Sequence, residues 1–263
     1  LDQGRKLAYA QFEATGMEGL VNDLQASLSW HRHSAQRDRI RSGGKRDIQG
    51  FDLDSLGSWI QLASETRIGE LTYGLSYYRD SADTFRRNYA PDGTFRNNAI
   101  QGPFGDDAVY DLFGLYLQDT ILLNDHLELT GGGRLTRAAA DIGKVTEPVS
   151  GKPISIQDTW DDFSASARLA WDVSGKGLFN FFGGISEGFR APNFSDLSRL
   201  DSARSNEIET PSPGLSPEHF TSYEVGSRIN RERLHAGMAV FFTDIKDLIS
   251  RTPTGQVIDG DSE

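Results

Sequence analysis

Gly183-Gly184-Ile185-Ser186-Glu187-Gly188-Phe189-Arg190-Ala191-Pro192-Asn193-Phe194 is followed, after a polar excursion, by Leu215-Ser216-Pro217-Glu218-His219-Phe220-Thr221-Ser222-Tyr223-Glu224-Val225-Gly226. Proline lacks the ladder N–H and sits at strand ends. The first stretch therefore reads as a strand that stops at Pro192, and the second as a strand that starts after Pro217. In the second, Tyr223, Val225 and Ile229 share one face, and Ser222, Glu224, Gly226 and Arg228 the other. This is the period of two of a strand with one apolar face. That face can meet a core or lipid.

The same alternation extends outward in both directions. Leu24, Ala26, Leu28 and Trp30 are in step, as are Leu56, Ser58, Ile60 and Leu62. So are Leu71, Tyr73, Leu75 and Tyr77, and then Phe163, Ala165, Ala167, Leu169 and Trp171. Beyond the second stretch, Leu234, Ala236, Met238, Val240 and Phe242 share a face. Residues 4–15 give a weaker strand. Residues 108–123 fit a strand, with a helix as the alternative. Gly131-Gly132-Gly133 would be ruinous in a helix but is tolerated where a sheet bends.

Between these segments the connections alternate short and long. Turns are expected near Glu65, Asn124, Gly175 and Arg231, and long loops at 34–50, 83–107, 138–159 and 193–216. The basic loop 34–50, with Arg37, Arg39, Arg41, Lys45 and Arg46, reads as solvated. About ten strands result, most of about ten residues or more, the span a tilted membrane strand needs. Trp30, Tyr77, Tyr78, Trp160, Trp171 and Phe242 fall at strand ends, as interfacial aromatic girdles do. The expected fold is all-β: a transmembrane antiparallel up-and-down β-barrel, present in part.

Ser186-Glu187-Gly188-Phe189-Arg190-Ala191-Pro192-Asn193, then Leu215-Ser216-Pro217-Glu218 and Tyr223-Glu224-Val225-Gly226, resembles the late barrel region of TonB-dependent outer-membrane receptors. Tyr116-Leu117-Gln118-Asp119 and Phe241 to Ile249 echo the same family more weakly. The family-motif positions are Phe189, Arg190, Ala191, Pro192, Pro217, Glu218, Tyr223, Glu224 and Gly226. The resemblance implies that residues 1–263 are one partial barrel domain in the outer membrane of a Gram-negative-type bacterium. The plug, the segment that engages TonB, the first strands and the last strands would lie outside this chain. It further implies contact with outer-membrane lipid, TonB-energised uptake of a scarce extracellular ligand, a ferric siderophore first, and no catalysed reaction or cofactor. Haem receptors of the family carry a histidine between the Phe-Arg-Ala-Pro box and an Asn-Pro-Asn-Leu box. Here no histidine lies between Pro192 and Pro217, and Pro211-Ser212-Pro213-Gly214-Leu215 stands in place of the second box.

Composition narrows the alternatives. A net charge of -11 argues against a nucleic-acid partner, which needs a basic face. With no cysteine there is neither a disulfide framework nor a thiolate metal site. The mean hydropathy of -0.48 conceals barrel strands, because lumen residues are polar. The start carries no charged region followed by an apolar segment, and both ends read as cuts.

Other motifs have bland readings. Gly184-Ile185-Ser186-Glu187-Gly188 matches a nucleophile elbow, but that device needs a strand, a strained turn and a helix. His31 and His33 would share a strand face, where paired imidazoles can hold a metal or haem iron; a polar loop base is the alternative. Asp106-Asp107, Asp158 with Asp161-Asp162, and Asp259 with Asp261 offer carboxylates for calcium without a full loop spacing. For Arg190, pairing with Glu187 or Glu218 at the loop base is set against contact with an anionic ligand. A passive porin-like barrel and a soluble all-β binding protein remain the other readings.

Overall fold

The computed structural model describes residues 1–40, 44–202, 208–253, 255, 257–258 and 261–262. In chain order the elements are β1 (Asp2–Ala14), β2 (Asp23–Ile40), β3 (Arg46–Glu65), β4 (Gly69–Tyr89), β5 (Phe95–Asn98), β6 (Asp106–Asn124), β7 (Leu127–Thr146), β8 (Pro153–Asp172) and β9 (Phe179–Arg190). There follow α1 (Phe194–Ser198), β10 (Asp201–Ser202), β11 (Ile208–Glu209), β12 (Glu218–Arg231), β13 (Leu234–Lys246), β14 (Val257–Ile258) and β15 (Asp261–Ser262). One 11-stranded sheet runs β1-β2-β3-β4-β6-β7-β8-β9-β12-β13, with β5 attached to β4. Every pairing is antiparallel between successive long strands, the up-and-down pattern. Among the described residues the sheet does not close on itself.

The outer face is apolar because the alternation of each strand is kept in register with its neighbours. Ala26, Ile60, Leu75, Leu115, Leu135 and Phe163 are successive partners across six strands. Ile185, Tyr223 and Phe242 carry the band across β9, β12 and β13. Leu28, Leu115, Leu135, Phe163 and Val240 are all exposed, as side chains facing lipid must be. One step further along the strands the band ends in ion pairs: Arg32 with Asp52 and Asp54, Arg79 with Asp111, and Arg137 with Asp161. Such exposed pairs stabilise by about 0–1 kcal/mol each; here they mark where the apolar band stops.

The short turns near Glu65, Asn124, Gly175 and Arg231 lie at one end of the sheet, as expected. The other end differs from the sequence reading. The span 34–50 is mostly strand, since β2 runs to Ile40 and β3 begins at Arg46. The span 138–159 is the hairpin of β7 and β8, and β4 reaches Tyr89 inside the expected loop 83–107. About 9–11 residues suffice to cross hydrocarbon, while β2, β3, β4, β6, β7 and β8 have 18 to 21. The excess projects past the band at the long-loop end, where both faces can be polar. Charged alternation in such a rim looks like a loop.

The buried core lies on the inner face at that same end. Ala108, Ala138, Ala140, Ile142, Ile156 and Trp160 are buried under Leu197 of α1. Residues 108–123 are therefore β6, not a helix; Ala108, Tyr110 and Leu112 are apolar inward while Val109, Phe113 and Leu115 are apolar outward. Trp160 is not a girdle residue. It is buried, and its Nε1 donates to the Leu215 carbonyl at 3.0 Å.

Candidate functional site

The site grows from the corner after β9. Glu218 and Arg190 are register partners at the top of the β9–β12 ladder. Pro192 is fully buried and ends the strand. Asn193 then caps α1: its side chain accepts from the backbone N–H of Ser195 (2.8 Å) and Asp196 (3.0 Å), and Asp196 Oδ2 accepts from Asn193 N (3.0 Å). This reciprocal capping box satisfies helix-start donors. The same Asp196 oxygen receives Arg190 Nη2 at 2.7 Å, and Arg190 Nη1 lies 3.2 Å from Glu218 Oε2. Glu218 is 5% exposed, and its other oxygen accepts from Ile249 N at 2.8 Å. Glu187, the other expected partner of Arg190, instead accepts from Ala165 N at 3.0 Å.

That bond marks a split in the wall. The β8–β9 ladder stops at Ser166 and Ser186. Past it, the gap is bridged by Gly214 N to Asp158 Oδ2 (3.1 Å), Trp160 to Leu215, and His219 Nε2 to Asp162 Oδ1 (3.4 Å). A cleft of about 550 Å³ opens on the inner face, lined by Tyr110, Tyr116, Arg134, Ser164, Glu187 and Arg190 among others. Arg134 is held there by Ser76 Oγ at 2.8 Å and by the Tyr116 ring 5.7 Å away.

From the corner, α1 folds onto the sheet. Ser198 Oγ accepts from Gly105 N (2.9 Å) while donating to the Phe194 carbonyl (2.6 Å). Gln101, 1% exposed, donates to the Ser198 carbonyl (2.7 Å) and accepts from Thr146 N (2.6 Å). The rings of Phe51, Phe104, Phe194 and Tyr110 follow one another at 5.6 to 5.7 Å.

The outcome is to carry Asp201 into a nest of arginines. Arg37 Nη2 lies 2.7 Å from Asp201 Oδ2, Arg39 Nη2 2.9 Å from Oδ1, and Arg86 Nη2 3.7 Å from Oδ1. Arg37, Gln49 and Arg86 are register partners across β2, β3 and β4, so the ladder itself places the charges. Arg86 also donates to Gln49 Oε1 (2.7 Å), the Gly102 carbonyl (3.1 Å) and the Leu200 carbonyl (2.7 Å). Arg39 reaches Asp47 at 3.1 Å. Burial pushes the Asp201 carboxyl up, but the Arg37 hydrogen bond and the charges of Arg39, Arg37 and Arg86 outweigh it and hold it below the usual carboxylate range.

The arginines 37 and 39 were expected in a solvated loop and Asp201 was not singled out. The usable signals were Arg37-Asp38-Arg39, a period of two that continues β2, and Asn193-Phe194-Ser195-Asp196, a capping box. Other motif positions sit in the wall. Tyr223 stacks on Phe242 on the outer face with centroids 6.4 Å apart, and Glu224 points inward opposite Gly184. Gly226 faces Phe182; a Cβ there would lie 2.4 Å from the ring. Arg168 and Arg228 stack over that ring at 5.0 and 5.4 Å.

Ser186 lies mid-strand in β9 rather than at a strand–helix turn, so the nucleophile elbow is a coincidence of letters. His31 and His33 share the inner face with stacked rings 6.3 Å apart, His33 edge-on to Phe51. Among the described residues no group of three or more His, Cys, Asp or Glu could hold a metal ion. Asp106, Asp158 and Asp162 are engaged by Lys144, Gly214 and His219. Asp259 and Arg41 lie outside the described residues.

No curated protein sequence matches the chain. Solved structures do. The copper transporter OprC superposes with a TM-score of 0.76 at 18% identity, over 93% of this chain and 40% of its own. The hemophore receptor HasR of Serratia marcescens, solved with its hemophore HasA and heme, gives 0.74 at 17%, over 93% and 40%. The ferric yersiniabactin uptake receptor FyuA of Yersinia pestis gives 0.65 at 14%, over 94% and 36%. At these identities the likeness shows the fold, and the chain spans about two fifths of the length of these proteins. Residues 2–262 match the family described as TonB dependent receptor-like, beta-barrel. The chain belongs to the β-barrel family of TonB-dependent receptors.

Proposed function

We propose that the protein containing this barrel is an outer-membrane receptor that imports a scarce extracellular ligand, energised through TonB, and that the ligand is an anionic iron chelate such as a ferric siderophore. The observation that carries the reading is the Arg37–Arg39–Arg86 cluster on the inner face at the long-loop end. Planar guanidinium forks suit carboxylate and similar oxygens, and a funnel of one sign concentrates ligands of the other. The net charge of -11 opposes an anion over the whole surface, so the local cluster has to supply the attraction. Haem is less favoured, because no histidine lies between Pro192 and Pro217. Catalysis has no place in this reading.

The experiment is uptake of radioactive iron by a Gram-negative host stripped of its own iron receptors and expressing the full-length protein. Hydroxamate, catecholate and citrate chelates are offered in turn. Uptake of an anionic chelate that disappears when TonB is deleted is the expected result. Uptake that persists without TonB would make the protein a passive channel, and uptake of none would remove iron chelates as the ligand.

A further inference from the structure

We propose that Arg134, Arg168 and Arg228 form a descending series of anion-binding steps on the inner wall, along which an anionic ligand passes from the cleft at the corner toward the short-turn end. This rests on the receptor reading and names a route for its ligand.

Three observations carry it. First, the three side chains share the inner face and lie in order. Arg134 is the register partner of Tyr116 and of Ser164, and it lines the cleft of about 550 Å³ that Arg190 also lines. Arg168, inward on β8, lies about 14 Å nearer the Gly175 turn, at about 3.4 Å per residue. Arg228 on β12 pairs with Asn180, which pairs with Asp172 of β8, about 14 Å further again.

Second, these cations lack counter-ions. At the rim and corner, Arg32, Arg79, Arg137 and Arg190 each meet a carboxylate. None of the inner three forms an ion pair among the described residues. Each rests on a ring instead: Arg134 over Tyr116 at 5.7 Å, and Arg168 and Arg228 over Phe182 at 5.0 and 5.4 Å. A ring holds the face of a guanidinium and leaves its in-plane N–H donors for oxygens. Arg134 gives one of these to Ser76 Oγ at 2.8 Å. Two like charges gathered on Phe182 repel each other, and an anion shared by both offsets that repulsion.

Third, the nearby acids stand off. Glu224 lies in the row of Arg168 beyond Gly184, and Asp172 in the row of Arg228 beyond Asn180. Asp172 accepts from Ser174 and Gly177, and Glu187 in the cleft accepts from Ala165 N. Carboxylates at this remove keep each step weak. A permeation route needs sites that bind well enough to enter and weakly enough to leave.

The test is uptake of ferric citrate and of a ferric tris-catecholate, both anionic, by a host stripped of its own iron receptors and expressing the full-length protein. Initial rates are taken per receptor at the cell surface over a range of concentrations. Arg168→Gln with Arg228→Gln should lower the maximal rate on the order of tenfold or more, as loss of a charge-assisted hydrogen bond does. The half-saturating concentration should not change. Arg168→Glu should be slower still, and Arg168→Lys with Arg228→Lys should stay near the wild-type rate. Vancomycin should remain excluded by every variant. An unchanged rate in the glutamine variant, a lysine variant as slow as it, or a variant that admits vancomycin overturns the route alone; the last would make these arginines fastenings of the closed lumen. Uptake of neither chelate by the wild type would overturn the receptor reading, and the route with it.

Discussion

Arg190 and Glu218 face each other as register partners across β9 and β12, with Nη1 and Oε2 3.2 Å apart. The same guanidinium holds Asp196, which caps α1. One side chain thus ties the end of one strand, the start of the next and the helix that leads to Asp201.

Arg190→Ala should leave Glu218 nearly buried without its cation. The cost is expected between the about 1 kcal/mol of an exposed pair and the about 3–5 kcal/mol of a broken buried one, since Arg190 is itself 40% exposed. Arg190→Lys keeps the charge but can serve only one of the two carboxylates well. In the full-length receptor, limited proteolysis should cut the segment between Pro192 and Pro217 faster in the alanine variant, with lysine intermediate. A lost ligand affinity with an unchanged digestion pattern would instead place Arg190 in contact with ligand.

The wall was legible in the sequence because lipid and lumen impose opposite demands on neighbouring residues. Leu28 and Leu169 fall on the outer face, and Ser27 and Ser166 on the inner. Legibility failed where that contrast fails. In the projecting rim of β2, Arg37 and Arg39 point inward while Asp38 outside meets Arg46, so both faces are charged. Under α1 the inner faces of β6 and β7 turn apolar, with Ala108, Ala138, Ala140 and Ile142, while their outer faces carry Asp111 and Arg137, so the contrast of polar inside and apolar outside is reversed. The Arg37–Asp201 pair spans 164 positions, and no local pattern announces it.

The faces can be tested by charge. Leu28→Arg and Leu169→Arg put a cation in the band, which costs about 2–4 kcal/mol near a bilayer midplane. Ser27→Arg and Ser166→Arg point into the lumen and should be far milder. Assembly into the outer membrane and resistance to heat-induced unfolding in detergent are the measurements. Equal damage from both pairs would argue for a sheet buried on two sides.

Orientation follows from the unequal ends of the sheet. Ser150 lies between β7 and β8 at the long-loop end, and Ser174 in the turn between β8 and β9 at the other. Ser42 lies outside the described residues, so Ser150 carries the test. A cysteine at 150 should react with an impermeant maleimide on intact cells, and one at 174 only after the outer membrane is opened. The reverse pattern would invert the barrel and place the arginine cluster on the periplasmic side.

Acid offers a last test of the Asp201 contacts. Its folded carboxyl titrates below an ordinary aspartate's 3.8, through the hydrogen bond and charges of the arginines against the opposing effect of burial. A group with a depressed folded pKa contributes its full stability above the unfolded value and loses it as pH falls through the folded one. The Asp201 contacts should therefore hold across the neutral and mildly acidic range, and weaken only below the ordinary aspartate value. Protease sensitivity around residue 201, measured against pH with an acid-stable protease, reads this directly. Asp201→Asn should be cut readily at every pH, because the neutral amide cannot pair with three cations. Cleavage that rises between pH 7 and pH 5 in the wild type, or an asparagine variant as protected as the wild type, would show that some contact other than the Asp201 carboxylate holds this part of the chain.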